Sequence, residues 1–381
     1  MERINILPRP NWQQRVQEMG LTYYQTPDGQ PYWDESACYA FHEDEIEVIE
    51  AATNELHKLC LAACDKIVKD SLYERLKIPE MAWAAVAASW QEFEPSLYGR
   101  FDLAYEPGKP PKMLEYNADT PTALVEAAVI QWHWLQDVDA QKDQFNSLWE
   151  ALVERWKLLR SSGRLKGMSV YFACAEEEED VMTVSCLQDT AGEANVLTTF
   201  IPLENIGWDA GQSCFVDEQG TRMRSIFKLY PWEWMVHDEF GINAVQTRAE
   251  TQWIEPMWKM MLSNKALLAI LWEMFPDHPN LLPAFIGSEG TLTEYVRKPI
   301  YSREGANVEI HAGGGVNEST GGRYGAEGYV FQALANLPDF SGNHPVIGSW
   351  IVGDTAHGIG IRESAGMVTD NLSRFVPHYF A

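Results

Sequence analysis

The stretch YGRFDLAYEPGKPPKMLEYNADTPT, residues 98–122, decides the fold that we expect for this chain. Two segments that alternate apolar and polar residues, RFDLAY and KMLEYN, flank EPGKPP, whose prolines and glycine favour a turn over a continued strand. The stretch therefore predicts a β-hairpin. Successive side chains of a strand point to opposite faces, so pairing Tyr105 with Lys112 places four polar side chains on a single face. They are Arg100, Asp102, Glu115 and Asn117.

The predicted hairpin sets two carboxylates against each other, because Asp102 falls opposite Glu115. Directly opposed side chains have Cβ atoms about 4.5 to 5.5 Å apart, and like charges in such a pair are destabilising. A magnesium ion would offset the repulsion, since it takes carboxylate and amide oxygens and is usually completed by water and substrate phosphates. The alternative is a solvated hairpin whose charges face water. The metal-site interpretation is favoured because Arg100 and Asn117 share the same face.

The composition indicates a globular protein and excludes some partners. The chain has 381 residues, 46% of them hydrophobic, enough for one large domain or two to three lobes. Acidic residues outnumber basic ones by 55 to 29, which gives a net charge of -26. A nucleic acid is therefore not an expected partner, because phosphate backbones are met by clustered Lys and Arg. The negative field favours small cations such as polyamines or metal ions, although acidity can also serve solubility alone.

The cysteines and the N-terminal sequence indicate a reducing compartment. The six cysteines contain no CxxC pair, so the spacing favours neither a disulfide framework nor a cysteine metal site. The start MERINILPRP has no hydrophobic signal core, and no apolar run reaches the length of a membrane span. We therefore expect a cytoplasmic protein without a membrane partner.

The middle of the chain predicts a strand–helix–strand unit. MSVYFACAEE and VLTTFIPLENI are typical of buried strands, and a helical pattern that Gly192 closes separates them. The acidic run at 176–180 is either a solvated helix start, where negative charge is favourable, or a clamp for a cationic amine. Further on, IFKLYPWEW places Lys228 at the end of a strand, and Lys265 falls in the first turn of a helix. A lysine at that position is unfavourable unless an anion lies nearby.

A glycine-rich stretch at 295–325 predicts a hairpin that covers a ligand. YVRKPI and NVEIHA read as strands joined by YSREGA, and the backbone of the loop at 302–306 can approach a ligand closely. The alternative is an ordinary turn, because the pattern is neither a P-loop nor GxGxxG. Lys298 before the loop favours a phosphate lid, and the following strand YVFQAL can offer backbone groups to a flat base.

Taken together, several segments resemble the glutathionylspermidine synthase family in its synthetase part. They are RFDLAY, LEYNADTPT, IFKLYPWEW, SNKALLAILWEMFP, VRKPIYSREGANVEI and YVFQAL. No segment fits the cysteine amidase domain of the bifunctional enzyme, so the resemblance is to the stand-alone bacterial homologues. The resemblance implies an α/β (α+β) protein with an ATP-grasp fold and an N-terminal pre-ATP-grasp region. It also implies ATP and Mg²⁺ as cofactors, and an amide formed between a carboxylate and a polyamine amine.

The resemblance also assigns site residues. Asp102, Glu115 and Asn117 match the family's metal ligands, and Arg100 matches the arginine that faces the reacting carboxylate. The segments that resemble the nucleotide side contribute the expected ATP contacts. These are Lys228, Lys265, Lys298, Ser302, Gly305 and Gln332. At 120–122 this chain has Thr, Pro and Thr where the family has a serine-alanine-serine that contacts the thiol peptide, which leaves glutathione or another small peptide as the acid.

The sequence thus predicts three regions and one reaction. The regions are a helical part with the metal-binding hairpin at 1–165, a strand–helix–strand lobe at 166–222, and the ATP-grasp lobes with the glycine-rich lid at 223–381. The reaction is ATP-dependent ligation of a small peptide-like acid to a polyamine such as spermidine through an acyl phosphate. Two alternatives stay open: a non-catalytic homologue that binds ATP or polyamine, and a glycoside hydrolase, since opposed carboxylates and tryptophans also suit sugars.

Overall fold

The computed structural model describes residues 1–26, 28–370 and 372–381, and these form a mixed α/β structure. Short 3-10 turns lie at Leu72–Leu76, Leu203–Asn205 and Met257–Met261, and a π-helical turn lies at Glu126–Ile130. The α-helices are α1 Trp12–Glu18, α2 Glu43–Asp70, α3 Glu80–Gln91, α4 Gln131–Asp139, α5 Leu148–Ser161, α6 Glu178–Glu193, α7 Trp232–Met235, α8 Gly241–Gln246 and α9 Ala266–Met274.

Within the described ranges, the strands form three larger sheets and two small ones. Those before residue 230 are β1 Glu2–Asn5, β2 Ala37–Phe41, β3 Tyr98–Ala104, β4 Lys112–Asn117, β5 Ser169–Cys174, β6 Leu197–Pro202, β7 Gly207–Asp209, β8 Cys214–Val216 and β9 Ser225–Leu229. Those after it are β10 Gln252–Ile254, β11 Ala284–Ile286, β12 Tyr295–Pro299, β13 Glu309–Ala312, β14 Gly315–Ser319, β15 Tyr329–Ala333, β16 His344–Val352, β17 Thr355–Ser364, β18 Arg374–Val376 and β19 His378–Phe380.

The long helix α2 supports the sheet that carries the hairpin. Its apolar residues recur every three or four positions, which buries Ile46, Ile49 and Leu56 on one face against β16 and β17. At its start, Glu45 Oε2 accepts the backbone N–H of His42 at 3.0 Å, which satisfies an amide that lies just ahead of the helix. The helix therefore forms a fixed base under the strands of the site.

The predicted hairpin is present as β3 and β4, within an antiparallel sheet of order β18-β17-β16-β3-β4. Arg100 pairs with Asn117 and Asp102 with Glu115, as the alternation predicts. The predicted pairing of Tyr105 with Lys112 is wrong, because the register shifts after Asp102 and Lys112 pairs with Ala104 instead. The physical reason is a β-bulge, which adds one residue to one strand and offsets everything beyond it.

The other two large sheets also contribute residues to the site, among them Leu229 from β9 and Lys298 from β12. A parallel sheet of order β10-β9-β5-β6 contains the predicted strand–helix–strand unit, with α6 as the crossover between β5 and β6. An antiparallel sheet of order β11-β15-β12-β13-β14 contains the glycine-rich hairpin, in which β12 pairs with β13 as predicted. The loop between these two strands lines the same pocket as the hairpin β3–β4.

The hairpin shares its sheet with strands from the far end of the chain, since β16 pairs with β3. The first and last regions of the predicted three-part division therefore contribute to one layer, and the boundaries at 165 and 222 stay predictions. All six cysteines lie in the described ranges, and they are free and buried, as expected for a reduced set. Among the described residues, no helix combines the length and the apolar character needed to cross a membrane.

Candidate active site

A pocket of about 240 Å³ lies between the hairpin β3–β4, the sheet that carries the lid, and the loop after β17. The prediction that four polar side chains of the hairpin share one face is confirmed, because all of them line this pocket. The lining combines polar and apolar side chains. The apolar ones include Leu114, Val296, Ile310, Leu334, Leu337 and Val346.

Two guanidinium groups bracket one carboxylate of the pocket. Arg100 is only 6% exposed, and its Nε lies 2.8 Å from Asp102 Oδ1, while its Nη1 donates to the carbonyl of Thr122 at 2.7 Å. Arg362 on β17 donates from Nη2 to Asp102 Oδ2 at 2.7 Å. Sequence reasoning missed Arg362, because no local pattern relates it to a residue that lies 260 positions earlier.

The second carboxylate, Glu115, is neutralised by a lysine at a helix start. Lys265, directly before α9, places its Nζ 3.0 Å from Glu115 Oε2, and Asn117 Nδ2 donates to Glu115 Oε1 at 3.1 Å. Burial alone would raise the pKa of Glu115, but attraction by Lys265 and Lys298 outweighs it and holds the pKa well below its usual range. The anion that a lysine at this position requires is therefore Glu115.

Lys298 is buried in the wall of the same pocket. Its Nζ donates to the carbonyl of Leu114 at 3.0 Å and to Gln332 Oε1 at 2.8 Å. Burial lowers the pKa of Lys298 to about 8, although Glu115 attracts the charge. Gln332 in turn donates to the carbonyl of Met113 at 2.9 Å. Gln332 thus holds Lys298 and does not itself belong to the pocket lining.

Lys228, another expected ATP contact, lies outside the pocket lining. It is fully buried, its Nζ lies 2.7 Å from Asp119 Oδ1, and it donates to the carbonyl of Tyr230 at 2.8 Å. Asp119 Oδ2 also accepts the backbone N–H of Trp232 at 2.8 Å. The contacts of Lys228 are thus those of an internal ion pair that joins the end of the hairpin to the segment after β9.

The loop between β12 and β13 forms one wall of the pocket, including Ser302 and Gly305. Gly305 has a φ of 66°, and a Cβ there would lie 2.6 Å from the carbonyl oxygen of Thr369, so this close approach requires glycine. Arg303, which sequence reasoning did not single out, donates from Nη2 to Glu233 Oε1 at 2.6 Å and from Nη1 to Thr120 Oγ1 at 2.7 Å. The loop is therefore fastened across the pocket.

The oxygen atoms of the hairpin suit a metal ion that is shared with a ligand. Within the described ranges, no group of three or more His, Cys, Asp and Glu side chains could hold a metal by itself. The hairpin offers two carboxylates, those of Asp102 and Glu115, and one amide oxygen, that of Asn117. Because the side-chain nitrogen of Asn117 bonds Glu115, its amide oxygen is directed away from Glu115. Such a set fits magnesium that completes its shell with water and phosphate oxygens.

The family of the chain follows from a comparison over nearly its whole length. A family model described as glutathionylspermidine synthase preATP-grasp matches residues 3–381. The chain belongs to the glutathionylspermidine synthase family. A protein of Haemophilus influenzae that is provisionally named an acid–amine ligase is 42% identical to this family member, and the alignment covers 100% of both chains.

Two longer relatives carry the names of synthetases. Trypanothione synthetase of Crithidia fasciculata is 33% identical over 88% of this family member, and the bifunctional glutathionylspermidine synthetase/amidase of Escherichia coli is 28% identical over 89% of it. The chain spans 55% and 58% of the length of these two proteins. The expectation of an enzyme of the ligase class is confirmed at the level of the family, since these relatives are named ligases or synthetases.

The fold has a counterpart among solved structures. The apo structure of a glutathione synthetase-like effector from Globodera pallida aligns with a TM-score of 0.55, covering 99% of this chain and 100% of that one. The sequences are 10% identical, so the likeness concerns the fold alone. It agrees with the mixed α/β architecture of the glutathionylspermidine synthase family member described above.

Proposed function

We propose that the protein is an ATP-dependent ligase with an ATP-grasp fold, which joins the carboxylate of a small peptide-like acid to an amine of a polyamine. The observation that carries the proposal is the lining of one pocket, where the two carboxylates of the hairpin lie among cationic side chains below a glycine-containing loop. The cationic groups are Arg100, Lys265, Lys298, Arg303 and Arg362. Such a pocket suits phosphates and a second anion, and family membership supports the choice of a ligase.

The proposed reaction has two steps. In the first, an oxygen of the acid's carboxylate attacks the γ-phosphorus of ATP, which gives an acyl phosphate and ADP. In the second, the neutral amine nitrogen attacks the acyl carbon, phosphate leaves as the amide forms, and the proton from the nitrogen passes to the departing phosphate or to water. The protein's part is positioning and charge stabilisation. Lys265 and Lys298 bind phosphate oxygens, and magnesium, held by the hairpin oxygens, would neutralise charge on the phosphates.

Arg100 acts on the acid in this scheme. Its guanidinium group is fixed by hydrogen bonds to Asp102 and to the carbonyl of Thr122, so one edge of the planar group has a set direction. A fixed cation at this place stabilises the oxyanion that develops when the amine attacks, without reorganising at the moment of reaction. The apolar side chains of the pocket lining take the flat base of ATP, and the loop at 302–306 excludes water from the acyl phosphate.

The acid substrate is a small peptide, with glutathione as one candidate. Thr120 Oγ1 accepts a bond from Arg303 at 2.7 Å, and Pro121 has no backbone N–H to offer. Tyr98 OH also donates to the carbonyl of Pro121 at 3.0 Å, which fixes this segment. Pro121 therefore removes one backbone donor that an alanine would offer at this position, and this favours an acid whose contacts with the segment differ from those of glutathione in the family.

The two opposed carboxylates of the hairpin are a poor catalytic pair for a glycoside hydrolase. A hydrolase needs one carboxyl group that keeps its proton near neutral pH to act as the general acid. The pKa of Glu115 is held well below its usual range by the attraction of Lys265 and Lys298. Asp102 accepts bonds from Arg100 and Arg362, so both candidate carboxylates are engaged by cations.

The proposal is tested by following an oxygen atom. A panel of small peptides, labelled with ¹⁸O in the carboxylate, is incubated with ATP, magnesium and individual polyamines, and products are analysed by mass spectrometry. An amide product together with one ¹⁸O in the released phosphate is the expected result. Phosphate without label would rule out the acyl phosphate. Binding of ATP without any phosphate release across the panel would favour the non-catalytic alternative, and glycan cleavage without ATP would favour the hydrolase.

The amine is expected to bind with a pH dependence set by Asp180. Asp180 lines the pocket, and burial, reinforced by repulsion from Glu179, raises its pKa to about 7. Above that pH the carboxylate is charged and attracts the ammonium groups of a polyamine, and below it the attraction is lost. We expect KM for the amine to rise by up to about tenfold between pH 8 and pH 6.

The substitution Asp180→Asn should flatten this pH dependence, while Glu176→Gln, at the exposed start of the acidic run, should keep it. The comparison is made on KM for the amine at several pH values with ATP and acid saturating. An unchanged slope in Asp180→Asn would assign the dependence to another group.

A third substitution tests the position of Arg100. Gly348 on β16 pairs with Asp102, and a Cβ there would lie 2.8 Å from Arg100 Cδ. Because the backbone of Gly348 suits other residues, Gly348→Ala displaces Arg100 with little cost elsewhere. We expect kcat to fall by about tenfold or more, with the melting temperature nearly unchanged. Gly192→Ala in α6 is the control, since its Cβ meets no atom within 4 Å, and full turnover in Gly348→Ala would contradict the role of Arg100.

A further inference from the structure

A buried ion pair lies beneath the base of the hairpin, outside the pocket. Glu255 follows β10, and Lys259 lies one turn later in the 3-10 segment Met257–Met261. Their side chains are 0% and 1% exposed, and Lys259 Nζ lies 3.4 Å from Glu255 Oε2. That carboxylate oxygen has no hydrogen-bond partner among the described residues, so the ammonium is what compensates its charge. No step of the proposed reaction uses either group.

Both members of the pair bind the backbone of the hairpin at its base. Glu255 Oε1 accepts the N–H groups of Leu97 at 2.9 Å and Tyr98 at 3.0 Å. Lys259 Nζ donates to the carbonyls of Tyr98 at 3.0 Å and Ala118 at 3.1 Å. One contact point therefore lies at the entry of β3, two residues before Arg100, and the other lies directly after the last residue of β4.

The ammonium of Lys259 thus joins the two strands at the end opposite to their connecting loop. Between Tyr98 and Ala118 the strands carry every polar side chain that the hairpin gives to the pocket. The β-bulge lies nearer to the connecting loop, so the register of the site is set from the base. The same chain segment continues to Lys265, which bonds Glu115. It therefore holds the hairpin at its base and also at the pocket.

Stability alone does not account for this pair. Desolvating two charges costs several kcal/mol per ion, and replacing a buried ion pair by apolar residues of similar volume is often neutral or stabilising. Apolar residues would not, however, bond two backbone amides and two carbonyls at fixed distances. These backbone hydrogen bonds fix where β3 begins and where β4 ends, and a hydrophobic pair would not form them.

We propose that Glu255 and Lys259 are positioning residues for the ligase site, which fix the separation and register of β3 and β4 and so aim Arg100, Asp102 and Asn117. The inference rests on the proposed function for its catalytic consequence, but the geometric part stands on the hydrogen bonds alone. Loss of the pair should loosen the base of the hairpin and spread the magnesium-binding oxygens, while the contacts of the acidic run with the amine stay as they are.

The test compares two buried ion pairs. Lys259→Met removes the bonds at the hairpin base, and Arg9→Met removes a pair of similar burial, Arg9 with Glu35, in the N-terminal part of the chain. Three properties are measured at a temperature at which each variant is folded: hydrogen exchange of peptides that cover 97–104 and 112–118, kcat for phosphate release, and the magnesium concentration at half-maximal rate. The melting temperature is recorded for each variant.

For Lys259→Met we expect faster exchange in both peptides, kcat lower by roughly 10- to 100-fold, and a several-fold higher magnesium requirement, with KM for the amine unchanged. Arg9→Met should lower the melting temperature without these three effects. The milder Glu255→Gln keeps the side-chain volume and should show the same pattern, and it replaces Lys259→Met if that variant does not fold. If Lys259→Met and Glu255→Gln showed the same hydrogen exchange in the hairpin and the same magnesium requirement as Arg9→Met, the inference would be overturned. The hydrogen-exchange measurement needs no turnover, so it still tests the positioning of the hairpin if the ligase proposal fails.

Discussion

Replacement of Glu115 by glutamine is expected to lower magnesium-dependent phosphate release by at least about a hundredfold. Glutamine keeps the shape of the side chain but removes the charge that lies 3.0 Å from Lys265 and that also attracts Lys298. The proposed magnesium site would lose an anionic oxygen ligand, and two lysines would be left without their shared counter-charge. The measurement is the initial rate of phosphate release as a function of magnesium concentration.

A second effect follows for Lys298. Its pKa, about 8, is supported by attraction from Glu115, so the substitution should lower that pKa further. Lysine binds phosphate in its charged form, which is present below the pKa. As pH rises, the affinity of Glu115→Gln for ATP should therefore begin to fall at a lower pH than the affinity of the unaltered protein does. Calorimetric titration with ATP between pH 6 and pH 9 measures this shift.

The control for Glu115 is Glu106→Gln in the connecting loop of the same hairpin. Glu106 forms an exposed ion pair with Lys109 at 2.8 Å, which has little energetic value at a surface. We expect wild-type turnover in the control. Wild-type magnesium-dependent turnover in Glu115→Gln itself would show that the metal assignment is wrong.

Replacement of Arg100 by lysine is expected to reduce kcat by about 10² to 10³, with a smaller effect on KM. The guanidinium uses Nε for Asp102 and Nη1 for the carbonyl of Thr122, and these directions diverge. A lysine keeps the charge but not the planar fork, so the substitution is not conservative. The donor that we propose to face the developing oxyanion would lose its fixed direction.

Arg362→Lys is the matched comparison for Arg100→Lys. Arg362 contacts the same carboxylate, but its described side-chain bond is a single one, from Nη2 to Asp102 Oδ2. An ammonium can replace one bond more easily than two, so we expect a smaller loss of kcat. Steady-state kinetics with the acid varied separate the two constants. Turnover of Arg100→Lys equal to that of the unaltered protein would contradict a role at the reacting carboxylate.

Local alternation was sufficient to predict the faces of the hairpin. Period-two patterning decides which side chains share a side, and the pairs Arg100 with Asn117 and Asp102 with Glu115 are present. The pairing nearer to the loop was wrong because a bulge has no clear signature in the residues around Leu114. The glycine-rich loop was predicted for a related reason, since a close approach such as that of Gly305 restricts the residue type.

Long-range contacts could not be predicted from the sequence. Nothing near Arg362 indicates that two intervening strand pairings bring it to Asp102. The lysines could not be ranked either, because a lysine in a strand pattern can face a ligand or an internal partner. Lys298 lines the pocket whereas Lys228 bonds Asp119, and only the packing of distant segments separates these cases. The functional roles of all the candidate residues stay predictions.

The pairing of β3 with β16 has a consequence for how the protein is made. The hairpin emerges from the ribosome more than two hundred residues before His344–Val352, so its inner edge has no partner for most of the time of synthesis. Unpaired strand edges in nascent chains are prone to aggregation, and such non-local pairing slows folding. A chain released before β16 would therefore expose that edge and lack the part of the pocket lining that β17 and the loop after it supply.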